Sequence, residues 1–223
     1  MCGRYSQSAP LEKLSARFGF GPPAFPLKPR YNIAPTQEAP VIVSEDGAPR
    51  SLELFRWGLI PSWAKDPAVG NRMINARAET LSEKTSFRRP FQRTRCLVLA
   101  DGFYEWKALP GRAGKTPYRI AEVSEEPFAM AGLWERWKAP DGREIRSFAI
   151  VTTRANSSLA PIHDRMPVVL DRAGEGAWLD PKAGPSDLKA LLDPCPEGRL
   201  RVYPVSTAVN SPKNDSPECL RAL

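Results

Sequence analysis

With 223 residues, 42% of them hydrophobic and 26% charged, the chain is long enough for one sizeable core of ordinary globular composition. No stretch approaches the ~20 consecutive apolar residues of a membrane-spanning helix, and no apolar h-region follows the first residues, so neither a span nor a secretory signal is expected. A formal charge of +7 suits a polyanionic partner, against the plainer reading of a generically basic surface.

The 24 prolines argue for short elements joined by many loops. Leu11, Leu14 and Phe18 recur at helical spacing before Gly19, which predicts a short amphipathic helix. A Pro/Gly-rich loop covers 21–29, and Pro40-Val-Ile-Val-Ser44 reads as a strand. Asp46-Gly47 supplies a turn into Ser51–Trp57, whose alternation predicts a second strand and a hairpin. Gly58–Lys65 is a loop carrying Trp63, and Met73–Thr80 is predicted extended, then turning helical. Residues 79–93 read as helical or irregular, broken at Arg88-Arg89-Pro90. Arg95–Asp101 is a buried-type strand running into Gly102-Phe-Tyr-Glu105-Trp106.

Tyr118–Val123, Phe128–Trp134 and Arg146–Thr153 predict three more strands, and a polar loop holding His163 enters another near Met166. Glu175–Leu179 and Ser186–Leu192 read as short helices, with Ser186 as an N-cap, and Arg201–Val205 as a last strand. This spacing predicts an antiparallel sheet curled or closed on itself. With no repeat and no linker of disordered composition, a single domain over 1–223 is expected.

Four cysteines (Cys2, Cys96, Cys195, Cys219) form no CxxC pair, and His163 is the only histidine. A zinc site and a disulfide scaffold are both disfavoured, and a reducing cytoplasm is the expected setting. Cys96 lies in an apolar run and reads as a small buried hydrophobe. Cys2 is different, because a cysteine directly after the initiator becomes the first residue once Met1 is removed. The end then carries an α-amine and a thiol, with free pKa values of ~7.7–8.0 and ~8.5. Such a 1,2-aminothiol condenses with an aldehyde at nitrogen and closes at sulfur to a stable thiazolidine. The plainer reading is an arbitrary residue in a frayed terminus.

Other polar groups stand in apolar settings. Glu105 lies between Tyr104 and Trp106, where desolvation would lift its carboxyl toward the proton-transfer range. The alternative is a surface glutamate at a strand end. His163 beside Asp164-Arg165 fits a polar cleft, although a lone histidine is more often structural. Asn75 is either a turn residue or a group that orients a substrate oxygen or the α-amine. Arg4, Arg77, Arg88, Arg89 and Arg165 accompany these segments, and arginine forks suit phosphate oxygens. Trp63 and Phe87 are candidates for stacking on unpaired bases, or for packing under their own loops.

Taken in order, Cys2-Gly-Arg-Tyr5, Tyr31-Asn-Ile-Ala-Pro35, Arg56-Trp-Gly-Leu-Ile-Pro-Ser-Trp63, Asn75-Ala-Arg-Ala-Glu-Thr80 and Arg95-Cys96 form a series. Gly102-Phe-Tyr-Glu-Trp106, Ile162-His-Asp-Arg-Met-Pro167, and Pro204-Val-Ser206 with Val209-Asn210 complete it. The series resembles the SOS-response-associated peptidase family, also called abasic-site processing proteins, over essentially the whole chain. The resemblance implies a single α+β domain built on a curved, barrel-like, mainly antiparallel sheet with short flanking helices. It implies binding of single-stranded DNA and covalent cross-linking to an abasic site through the processed Cys2, shielding the lesion. Peptidase activity would be removal of Met1 from its own chain, with lyase-like imine chemistry beside it.

Carried over, Cys2 is the nucleophile, Asn75 its orienting group, and Glu105 with His163 the acid/base pair. Arg4, Arg77 and Arg165 are expected on phosphates, with Trp63, Phe87 and Arg88 along the DNA path. No cofactor and no metal are expected, no membrane is involved, and a nucleoid-associated monomer is the implied form. Two rivals stand beside this reading: a thiol peptidase acting on other proteins through Cys2 and His163, and a non-catalytic nucleic-acid-binding module.

Overall fold

The computed structural model describes residues 2–108, 111 and 114–223. In chain order it begins with β1 (Tyr5–Gln7), α1 (Leu11–Phe18), β2 (Arg30–Ile33), β3 (Glu38–Val43) and β4 (Ser51–Trp57). The middle holds β5 (Asn75–Arg77), α2 (Thr85–Arg93), β6 (Arg95–Ala100), β7 (Gly102–Ala108) and β8 (Lys115–Glu122). Then come β9 (Phe128–Lys138), β10 (Glu144–Arg154), β11 (Arg165–Pro167), β12 (Val169–Leu170), α3 (Arg172–Leu179), α4 (Pro185–Ala190) and β13 (Leu200–Pro204).

The fold is α+β, as the resemblance implied, but the strands divide between two sheets. In the larger one β10, β4, β3, β6 and β9 pair in sequence and β9 returns to β10, closing a five-stranded barrel. Closure leaves no free edge within that ring. The pairings are antiparallel except β10 with β4 and β10 with β5, which run parallel. Eleven residues make β10 long enough to hold β9 and β11 on one edge and β4 and then β5 on the other. The smaller sheet has the order β13-β8-β7-β1-β2. It places β1, the strand that follows Cys2, between two neighbours.

β6 shows how both faces fill. Cys96, Val98 and Ala100 join one core with Tyr5, Trp57, Met130 and Phe148, while Leu97 and Leu99 point to the other. That second core packs under the helices through Leu14, Phe18, Phe91, Trp178 and Leu188. A strand covered on both faces loses its polar alternation, which is why Arg95–Ala100 reads as one apolar run. Arg95, 5% exposed, donates to the carbonyls of Phe91, Gln92, Trp178 and Asp180 at 2.6–2.9 Å. It thereby satisfies carbonyls at the C-terminal ends of α2 and α3. Arg95→Leu is expected to lower unfolding free energy by about 2–4 kcal/mol in urea titration, since buried carbonyls would be left unpaired.

The helix through 85–93 departs from expectation. Pro90 lies inside α2 and does not end it, because Pro90 and Phe91 are the buried positions that anchor this short helix to the sheet. The loss of one backbone donor is outweighed by that contact. Ser186 is not a cap: Gly184 takes the N-cap, with Pro185 in the first turn and the Gly184 N–H donating to Asp187 at 3.3 Å. Strands β1 and β2 carried too few residues to announce themselves by period.

Candidate active site

Cys2 sits just before β1, which is pinned by Tyr5 to Phe103 of β7 and Ile33 of β2. The side chain of Cys2 is fully buried. Burial, and to a lesser degree the charge of Glu105, hold its thiol well above the usual range, so the sulfur is protonated at neutral pH. Met1 lies outside the described residues.

Asn75 opens β5, and the parallel pairing of β5 with Ile150 of β10 carries it toward the terminus. Its Nδ2 donates to the Cys2 carbonyl at 2.9 Å. Its Oδ1 is buried with no partner among the described residues, an acceptor left open beside the backbone of Cys2. Glu105 is 4% exposed on β7. Burial pushes its carboxyl up to about 7, with the nearby Asp164 charge adding to the rise.

His163 follows a turn in which its backbone N–H donates to Leu159 O at 3.0 Å. The Arg165 N–H reaches its Nδ1 at 3.0 Å, and Asp164 Oδ1 stands 2.9 Å from that same nitrogen. The Arg165 N–H calls for a lone pair on Nδ1, whereas the Asp164 carboxylate calls for a proton there, so the two contacts favour opposite protonation states of the ring. Burial lowers the imidazole pKa, which Asp164 partly opposes, so the ring is mostly neutral at pH 7. A carboxyl titrating near neutrality and a mostly neutral imidazole are both able to take up and release protons near pH 7.

The arginines differ among themselves. Arg165 forms a bidentate pair with Glu79 at 2.6 and 2.9 Å and donates to Thr152 O at 2.6 Å. Both Nη2 hydrogens are therefore spent, and Nε is buried without a partner among the described residues, leaving one Nη1 hydrogen for a ligand while the pair holds. Arg77 is exposed at the end of β5, level with Thr152. Arg4 Nη1 bonds Asn32 Oδ1 and Val209 O, both at 2.8 Å.

Trp63 is 64% exposed on its loop, and Arg88 is exposed on α2. Phe87 is partly buried against the outer core, so packing accounts for it. The Trp63 loop starts at Gly58, whose φ of +124° favours glycine; an added Cβ would meet Gly70 O at 2.5 Å.

Three contributors escape sequence reasoning. Thr152 is fully buried, with an Oγ1 lacking a partner among the described residues, next to Arg77 and Arg165. A hydroxyl inside an apolar strand was its only signal. Glu79 and Asn32 stood in the quoted motifs without a role. No group of three or more His, Cys, Asp or Glu among the described residues is arranged to hold a metal ion, and no helix there is long and apolar enough to cross a membrane.

Residues 1–212 match the family described as SOS response associated peptidase (SRAP). The abasic site processing protein YoqW of Bacillus subtilis is 45% identical over 225 residues, covering 100% of both chains. The abasic site processing protein HMCES of Gallus gallus is 37% identical, over 86% of this chain and 66% of that protein. A crystal structure of a protein from Bacteroides thetaiotaomicron superposes with a TM-score of 0.89 at 32% identity over 100% of both chains.

Proposed function

The chain belongs to the SOS response associated peptidase family, and from that membership we propose that it processes abasic sites in DNA as one domain spanning 1–223. The finer reading is that it binds single-stranded DNA and joins the lesion covalently through Cys2 after Met1 is removed. The observation that carries this reading is Asn75, which holds the Cys2 carbonyl while keeping a buried acceptor open. A freed α-amine on Cys2 is the donor that acceptor suits.

An abasic deoxyribose equilibrates with a ring-opened aldehyde. His163 assists opening by proton transfer at the sugar oxygen. The Cys2 amine adds to C1′ to give a carbinolamine, and Glu105 delivers the proton with which hydroxide departs as water. The protonated thiol then adds across the imine: sulfur bonds to C1′ and its proton reaches nitrogen, with Glu105 as the relay. The sum is aldehyde plus aminothiol giving thiazolidine plus one water. Ring closure removes the imine that would otherwise promote β-elimination, so the strand stays intact.

A buried thiol with a raised pKa speaks against a thiol peptidase acting on other proteins, since that chemistry wants an accessible thiolate. Arg4, Arg77 and Arg165 would neutralise phosphates, with Trp63 and Arg88 further along the path. Intact mass tests the whole scheme before and after incubation with an oligonucleotide bearing one abasic site. Loss of one methionine, then a heat-stable gain of oligonucleotide mass less one water, is expected. Retained Met1 with no adduct would overturn the scheme.

A further inference from the structure

Two of the quoted motifs, Tyr31–Pro35 and Val209-Asn210, are not used by the chemistry above, and in the structure they meet. Asn32 is fully buried on β2. Its Nδ2 donates to the carbonyls of Val209 at 3.2 Å, Ser211 at 3.0 Å and Asn214 at 2.6 Å. Asp215 accepts from the backbone N–H groups of Tyr31 and Asn32 and from the Arg30 guanidinium. The C-terminal segment is thus fastened to β2 from both sides of one asparagine.

The free end of that asparagine faces Arg4. Asn32 Oδ1 accepts from Arg4 Nη1, which also donates to Val209 O, so both Nη1 hydrogens are spent inside the protein. Arg4 lies over the Trp106 ring at 5.6 Å, and Trp106 Nε1 donates to Asn210 Oδ1 at 2.7 Å. The ring beneath the guanidinium is therefore tied to the same C-terminal turn. Among the described residues, the groups that hold the Arg4 guanidinium are neutral: it donates to an amide and a carbonyl and lies over an aromatic face. That contrasts with Arg165, whose fork is taken by Glu79. A guanidinium oriented by neutral groups keeps its full charge, with Nη2 as the edge left for a ligand.

We propose that Asn32, anchored by residues 209–215, is a positioning residue that presets Arg4 to receive a DNA phosphate next to Cys2. The inference rests on the DNA reading above and adds to it the device that fixes one phosphate contact. It gives the C-terminal segment a role in binding although the segment need not touch DNA.

The experiment is a double-mutant cycle of Asn32→Ala and Arg4→Ala, titrating a single-stranded oligonucleotide without a lesion over a range of salt. A parallel arm measures the cross-linking rate at saturating abasic oligonucleotide. Arg4→Ala is expected to weaken binding about 10-fold and reduce the salt slope by about 1, as loss of one phosphate contact does. Asn32→Ala should do nearly the same, and the double variant should be no worse than Arg4→Ala alone. The saturated cross-linking rate of Asn32→Ala should stay within about twofold of wild type, which a general loss of structure would not allow.

Should Asn32→Ala fail to fold, Asn210→Ala, at an exposed position, loosens Trp106 instead. It should weaken binding about threefold, again without adding to Arg4→Ala. Wild-type affinity in the Asn32 and Asn210 variants, or full additivity with Arg4→Ala, overturns the positioning role alone. A wild-type protein that does not bind the oligonucleotide overturns the DNA reading and this inference together, whereas an Arg4→Ala variant that binds as wild type does overturns this inference alone.

Discussion

Cys2→Ala should abolish the heat-stable adduct with abasic DNA and leave a strand-nicking activity in its place. Removal of Met1 from this variant still exposes an α-amine, and Asn75 still contacts the backbone carbonyl of residue 2, which the substitution does not alter. The amine therefore forms an imine with the ring-opened sugar. No sulfur is present to close the five-membered ring, so the imine persists long enough to promote β-elimination. Denaturing gels of an end-labelled oligonucleotide read both outcomes at once: the shifted band disappears and a cleaved product accumulates. Cys2→Ser likewise loses the stable adduct, since a hydroxyl is a poorer nucleophile than a thiol. A stable cross-link of unchanged yield in Cys2→Ala would remove Cys2 from the mechanism altogether.

The second large effect falls on Glu105. Glu105→Gln keeps size and hydrogen-bonding shape but cannot relay protons, and should slow cross-linking by about 10²–10⁴. Because burial raises the carboxyl to about 7, it is largely protonated at pH 6 and largely ionised at pH 8. The wild-type rate should change across that interval, and the inflection should vanish in Glu105→Gln. Folding stability depends on the same carboxyl. A folded-state pKa above the unfolded value of ~4.3 means the group's contribution is complete below that value and is lost as pH rises toward 7. Glu105→Gln escapes the loss, so it should melt about a few degrees above wild type at pH 8 and close to it at pH 4.5. A variant that is slow but no more stable at pH 8 would place the carboxyl in solvent. A variant of wild-type rate would remove it from the chemistry.

Cys2 and Glu105 were legible in the sequence for different reasons. Cys2 stood out by position alone, because a residue directly after the initiator is the one that removal of Met1 would give an α-amine. Glu105 stood out as a carboxylate between two bulky aromatics, and its desolvation follows from Gly102–Ala108 being a central strand. The role of Arg95 was not legible. In the sequence it was only the cation that opens a buried-type strand, whereas it caps helix ends from inside the fold.

What the sequence determined by itself was local or positional: the amphipathic helix over 11–18, the hairpin of β3 and β4, and the ordered motifs that carry family membership. These depend on residue period, turn chemistry and order along the chain, all of which survive without coordinates. The tertiary structure alone decided the division into a closed barrel and a second sheet, because closure depends on how β10 shares its two edges among four strands. It alone showed that Arg165 is committed to Glu79 while Arg4 is held by neutral groups. Arg4 and Val209 are 205 positions apart, and no periodicity reports which distant carbonyl a side chain will meet. The charge an arginine offers to a ligand depends on such partners, so the sequence names the arginines and the fold distinguishes them.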